Sequence, residues 1–219
     1  MLKNILALIF ISIFSSTSFA DYYYSDYNNR EYEVTVFNIT KGQTFTPVLS
    51  ATHSPAIQFF ELGSAASEPL AILAEAGNVA PLKEVLDNSD LVNSTTNTEG
   101  LLTPGNSVTF NITGNPRSRI SLAAMLIPTN DTFFAINTAK LPRRGTRTYF
   151  AKAYDAGSEN NDEICSSIPG PACGGEGVSE ADGEGYVHIS AGIHGEAELL
   201  RSAYDWRDAV AKVVVRRVR

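Results

Sequence analysis

Cysteine, histidine and tryptophan are scarce in this chain, at 2, 3 and 1 in 219 residues. Each scarcity closes off a class of chemistry. Two thiols with no neighbouring histidine or third cysteine do not complete a four-ligand zinc site. C-x-x-C, the signature of thioredoxin-like exchange, is absent. So are G-x-S-x-G, H-E-x-x-H and a phosphate loop, which removes the positive case for a serine hydrolase, a zinc protease or a nucleotidase. Positive charge is short as well: 17 Lys and Arg stand against 24 Asp and Glu, a formal charge of −7. An acidic chain is a poor match for nucleic acid or an anionic membrane, and neither is expected as a partner. After the first twenty residues no run is apolar enough to span a bilayer.

Met1 to Ala20 reads MLKNILALIFISIFSSTSFA. One lysine, a short apolar core and the small-x-small triplet Ser18-Phe19-Ala20 read as a secretory signal peptide. The expected localisation is therefore secreted or periplasmic. In that setting Cys165 and Cys173, within CSSIPGPAC, are most simply a local disulfide. Residues 21–30, DYYYSDYNNR, read as a polar, tyrosine-rich flexible leader.

The remainder, residues 31–219, reads as one β-rich domain. EYEVTVFNI alternates around Tyr32, Val34 and Val36, and SVTFNIT around Val108, Phe110 and Ile112. RISLAAMLI places Ile120, Leu122, Ala124 and Leu126 on one face. Residues 147–154, 186–193 and 209–218 continue as strands, with Val187, Ile189, Ala191 and Ile193 expected on one buried side. Gln43 to Leu49 contains Pro47, an edge strand or irregular arm. EPLAILAEAG and VAPLKEVL carry Ala, Leu and Glu at helical spacing, predicting two short helices in one crossover. Asn88 to Gly100 reads as a surface loop. Many strands with helix in a single region predict an all-β fold, an antiparallel β-sandwich.

The candidate chemistry lies between Ser121 and Glu159. One apolar run delivers Asp131 into a Pro/Asn/Asp turn; a second delivers Asp155, with Glu159 four residues on. Three carboxylates in loops at strand ends suit a hard cation such as calcium, with Gly157 allowing the sharp turn between the last two. They equally suit a solvated acidic loop. His53, His188 and His194 read as packing, turn or strand-end residues, and no catalytic residue is assigned.

These same stretches carry a resemblance. AAMLIPTNDTFFAIN resembles the spondin domain, in which an apolar strand ends in Pro-Ser-Pro-Asp-Trp-Phe, and YDAGSE resembles its Tyr-Asp-Ala-Gly-Thr-Asp. YEVTVFNITKGQTFTPVLSATH and DWRDAVAKVVVRRV resemble its first and last strands. Three residues depart from the pattern: Asn130 stands for Pro, Thr132 for Trp and Glu159 for Asp. The resemblance implies an antiparallel β-sandwich with Ca2+ held at one end by Asp131, Asp155 and Glu159. It implies an exported adhesion or ligand-binding module whose partner is an extracellular or envelope glycan, protein or surface polymer. A monomer is expected. Two other classes stand beside this one: a secreted metal- or carboxylate-dependent hydrolase, and a purely structural envelope or matrix protein.

Overall fold

The computed structural model describes residues 29–178 and 183–218. The signal-peptide reading of residues 1–20, and most of the leader, lie outside the described residues. Ten strands are seen: β1 (Arg30–Asn38), β2 (Thr44–Phe45), β3 (Leu49–His53), β4 (Val92–Asn97), β5 (Ser107–Gly114), β6 (Arg119–Ile127), β7 (Thr132–Lys140), β8 (Thr146–Asp155), β9 (His188–Ile189) and β10 (Ala211–Arg217). Three helices join them: α1 (Glu68–Ala76), α2 (Ala80–Asp87) and the single turn α3 (Arg201–Tyr204).

The strands form one antiparallel sheet in the order β4-β3-β6-β7-β8-β10-β1-β5, with β2 against β6 and β9 against β8. The all-β antiparallel class and the helices in one crossover are as the sequence predicts. The two layers, however, are halves of a single strip that curls back on itself toward a barrel. Its two ends approach one another: Thr52 on β3, the neighbour of edge strand β4, donates a hydrogen bond to the Thr113 carbonyl on edge strand β5.

Alternation along each strand divides the core. Tyr32, Val34 and Val36 on β1, with Val215 and Val213 beside them on the paired β10, share one interior cluster with Ile120, Leu122, Ala124 and Leu126 on β6. The opposite face of β6 and β7 presents Ala123, Phe133 and Ala135 to Leu70, Leu73, Leu82 and Leu86 of the two helices. Both faces of β6 are thus covered, which is why RISLAAMLI is a near-continuous apolar run. Helix α1 starts behind Ser67 with Pro69 in its first turn and ends at Gly77, whose φ of 65° and N–H to the Leu73 carbonyl close it. Leu70 is wholly buried, and truncating it to Ala costs about 2–5 kcal/mol.

Three local readings are corrected. Asn88 to Gly100 is not all loop: β4 pairs with β3, its half-exposed polar sequence VNSTTN hiding an edge strand. Residues 186–193 form only the two-residue β9; Val187 and Ile193 are buried, but Ile189 is 53% exposed. Gly192, at φ 87°, breaks the extended backbone before a longer strand can form. Arg30, assigned to the leader, already pairs with Gly114.

Candidate functional site

Strands β6, β7 and β8 run antiparallel, so the β6–β7 turn and the end of β8 emerge at the same end of the sheet. The register sets Thr132 opposite Asp155. The turn follows a cis Ile127–Pro128 peptide bond and is held by Thr129, whose hydroxyl donates to the Leu126 carbonyl at 2.6 Å and accepts the Thr132 N–H at 3.2 Å. Asp131 is delivered inward by this turn. Its carbonyl accepts the Ala156 N–H at 3.2 Å; its Oδ2 accepts the N–H groups of Ser158 at 2.8 Å and Glu159 at 3.1 Å.

Asp155 begins the second arm. Its Oδ1 accepts the Gly157 N–H at 2.8 Å, a short side-chain turn, and its Oδ2 accepts the Asn161 amide at 2.9 Å. Gly157 has φ 65°, and a Cβ there would lie 2.3 Å from the Tyr186 carbonyl oxygen. Only glycine lets this turn pack beneath the 183–187 segment, whose Gly185 N–H reaches the Gly157 carbonyl at 2.8 Å.

Asp131, Asp155 and Glu159 are 0%, 2% and 1% exposed. This removes the solvated-loop reading, which requires the carboxylates to face water. Neither Asp131 nor Asp155 meets a lysine or arginine among the described residues. Asp131 Oδ1 is buried without a hydrogen-bond donor among them. Burial raises the pKa of Asp131, against the opposing pull of the Glu159 and Ser158 N–H groups. Burial, and then the charge of Asp131, push the Asp155 carboxyl up to about 7. Two carboxylates held together away from water, with no lysine or arginine beside them, are what a buried cation offsets.

The sequence reading missed two neighbours. His188 Nε2 lies 3.3 Å from Asp155 Oδ1 and 3.6 Å from Glu184 Oε2. Ligand-type atoms of Asp155, Glu184 and His188 all fall within 4.8 Å of one another. They border a cavity of about 110 Å³ with Thr132, Asn161 and Glu163. Burial opposes the imidazolium of His188, but the Ile189 carbonyl and the two carboxylates outweigh it and raise its pKa. No sequence spacing links position 184 or 188 to 155; the pairing of His188 with Asp155 across β9 and β8 does. His188 therefore belongs with Asp155, while the backbone N–H of His194 is taken by the Glu163 carboxylate.

One other polar pair has the look of catalysis. His53 Nε2 and Ser121 Oγ are 2.8 Å apart. Both are wholly buried, and Ser121 Oγ also accepts the Thr138 N–H at 2.8 Å, where β7 bulges with Thr138 at φ 61°. The pair locks a bulge, and no substrate reaches it. Cys165 and Cys173 form a disulfide with sulfurs 2.04 Å apart, as expected. It packs against Ile168, Ile193 and Leu199 in a small third cluster.

No helix of the described residues is long and apolar enough to cross a membrane. No curated protein matches the chain. A family model, Spondin_N, matches residues 19–166, a span that includes Asp131, Asp155 and Glu159 and ends before Glu184 and His188. Spondin_N domains are extracellular, non-enzymatic modules of the ligand-binding or adhesion type. With two thirds of its length matched, this chain belongs to the Spondin_N family.

Proposed function

We propose that this protein is an exported adhesion or ligand-binding module that binds calcium through Asp131, Asp155 and Glu159. The observation that carries the reading is the burial of all three carboxylates at one end of the sheet, with Asp131 Oδ1 lacking a donor among the described residues. Three carboxylates suit calcium, which takes 6–8 oxygens in variable geometry; backbone carbonyls and water complete such a shell. Bound there, calcium supplies neutralisation of the buried charge and a tie between the β6–β7 turn and the segment after β8. The chain's own residues prepare the place: Gly157 turns the backbone, and the Ser158 and Glu159 N–H groups orient Asp131. Glu159 replaces the family's aspartate one methylene short of it, a difference of about 1.5 Å that a flexible shell absorbs.

We also infer that residues 31–219 form one domain, although the family match ends at 166. Strand β10 supports this, since it lies between β8 and β1 and without it the sheet would part. The segment at 1–20 supports export, and the disulfide agrees with an oxidising compartment.

Calorimetric titration tests the site. Calcium binds with Kd on the order of 10⁻⁴–10⁻³ M, as in extracellular modules, and magnesium binds more weakly because it demands a tighter octahedron. Asp155→Asn weakens binding more than Glu159→Gln. No heat with calcium, in protein shown to be folded, would remove the proposal.

A further inference from the structure

The end of the sheet opposite the carboxylates is strongly basic. Strands β6, β7 and β8 each carry an acid or an acidic turn at one end and cations at the other: Arg119 starts β6, Lys140 ends β7 and Arg147 lies at the start of β8. The β5–β6 turn adds Arg117, and the β7–β8 hairpin adds Arg143 and Arg144. These six side chains line one open cleft of about 710 Å³ beside Pro55 and Pro116. No acidic side chain lines it among the described residues, and none of the six is in an ion pair there. All but Arg119 are exposed. Arg30 and Arg217 stand next to it, through the pairing of Arg30 with Gly114 and the Arg217 N–H to the Gly145 carbonyl at 2.9 Å.

In a chain of net charge −7, the concentration of the six cleft cations, none in an ion pair among the described residues, is local rather than general. Like charges crowded at one surface repel, so the arrangement costs stability unless an anion covers it. Five of the six are arginines, whose planar forks match carboxylate, sulfate and phosphate groups bidentately.

The neighbouring surface indicates the carrier of those anions. The basic cleft shares Pro55, Pro116, Arg117 and Ser118 with a second opening of about 890 Å³. Its lining adds Asn29, Ser54, Asn93 and Asn115 together with one acid, Asp90, and one apolar residue, Leu91, and the Asn115 amide is held toward Asn93 at 3.3 Å. Amides and hydroxyls continuing from a row of arginines suit a chain rich in hydroxyls that bears anionic groups. Aromatic platforms for stacking bases are missing from both linings, and Leu91 is the one large apolar side chain exposed in them, too little for a wedge into a bilayer.

We propose that this end of the sheet binds an acidic polysaccharide, with Arg117, Arg143, Arg144 and Arg147 meeting its carboxylate or sulfate groups and Asn93 and Asn115 its hydroxyls. The proposal rests on the reading of the chain as an extracellular ligand-binding module and names that ligand's class. The calcium end lies roughly 25–30 Å away along β6, so it orders a different part of the molecule.

The test is retention of the full mature chain on immobilised heparin and polygalacturonate, with dextran as a neutral glycan. A single-stranded oligonucleotide and phosphatidylglycerol vesicles serve as competing anions. The protein is retained on one or both acidic polymers and not on dextran, more strongly at 50 mM than at 200 mM salt. Arg143→Ser/Arg144→Ser/Arg147→Ser weakens retention by about tenfold or more while keeping the calcium-dependent rise in melting temperature. Unchanged retention of that variant, binding to dextran alone, or tighter binding of the oligonucleotide or vesicles through the same arginines would overturn the proposal. Calcium stabilisation without retention on either acidic polymer would also overturn it, and would leave the calcium reading intact.

Discussion

Asp131 and Asp155 confront each other as buried carboxylates, and the charge of the first helps hold the carboxyl of the second at a pKa of about 7, burial being the larger cause. A carboxyl whose pKa is raised by folding contributes stability at pH below the ordinary carboxylate range. That contribution is lost as pH rises through the folded value. In chelator, stability therefore falls between about pH 4 and pH 7 on account of this pair, and Asp155→Asn flattens the fall. Saturating calcium removes it, because the cation takes the place of the proton. By the same competition, calcium affinity decreases on acidification from pH 8 to pH 6. Denaturant melts across pH, with and without calcium, check both statements.

Gly157→Ala tests how the site is shaped. The added methyl meets the Tyr186 carbonyl oxygen at 2.3 Å, and φ 65° disfavours any L side chain. The left-handed conformation alone costs roughly 1–2 kcal/mol. The variant is expected to melt lower and to bind calcium at least tenfold more weakly, since Asp155 and Glu159 flank the displaced turn. Calcium affinity equal to wild type would show that the turn does not set the site.

His53 gives a second pH limb, of opposite sign. Burial, chiefly, lowers its pKa, so folding favours its neutral form. Its contribution is present above the unfolded value of about 6.5 and is lost as pH falls below it. Ser121→Ala deprives both His53 Nε2 and the Thr138 N–H of their partner, at a cost of about 1–3 kcal/mol. Activity-based fluorophosphonate labelling should leave Ser121 unmodified in the folded protein. Stoichiometric labelling would reopen the hydrolase reading.

The Cys165–Cys173 bridge closes a short loop, which contributes about 2–3 kcal/mol in the loop-entropy account. Cys165→Ser/Cys173→Ser should lower the melting temperature and loosen the small cluster of Ile168, Ile193 and Leu199. Calcium affinity should change less than in Asp155→Asn, because neither cysteine lines the cavity beside Asp155, although Ile193 does. Alkylation without reductant reads the bond directly: two freely modified thiols would contradict it.

Strands whose two faces differ were legible in the sequence. Val34 and Val36, or Phe110 and Ile112, alternate because one side faces the barrel interior. The helices were legible through Ala, Leu and Glu at helical spacing in EPLAILAEAG and VAPLKEVL, with Gly77 closing α1. Strand β4 was hidden because an edge strand flanked by solvent needs no apolar face, and VNSTTN has none. The curl of the sheet was hidden because it depends on contacts such as Thr52 with Thr113 that no periodicity records. Asp131, Asp155 and Glu159 were singled out as candidates by their loops and by resemblance. Their burial was not, since an acidic loop reads as exposed. His188 reaches Asp155 through two residues of strand pairing, too little pattern to detect, and Glu184 comes with it from the preceding loop.

Calcium at the buried carboxylates is the central claim, and thermal melting tests it most directly. At calcium tenfold above Kd, linkage stabilises the fold by about 1.4 kcal/mol. The account predicts a melting temperature several degrees higher in millimolar calcium than in chelator, a smaller rise in magnesium, and no rise for Asp155→Asn. Equal melting temperatures in calcium and in chelator for the wild-type protein would contradict it.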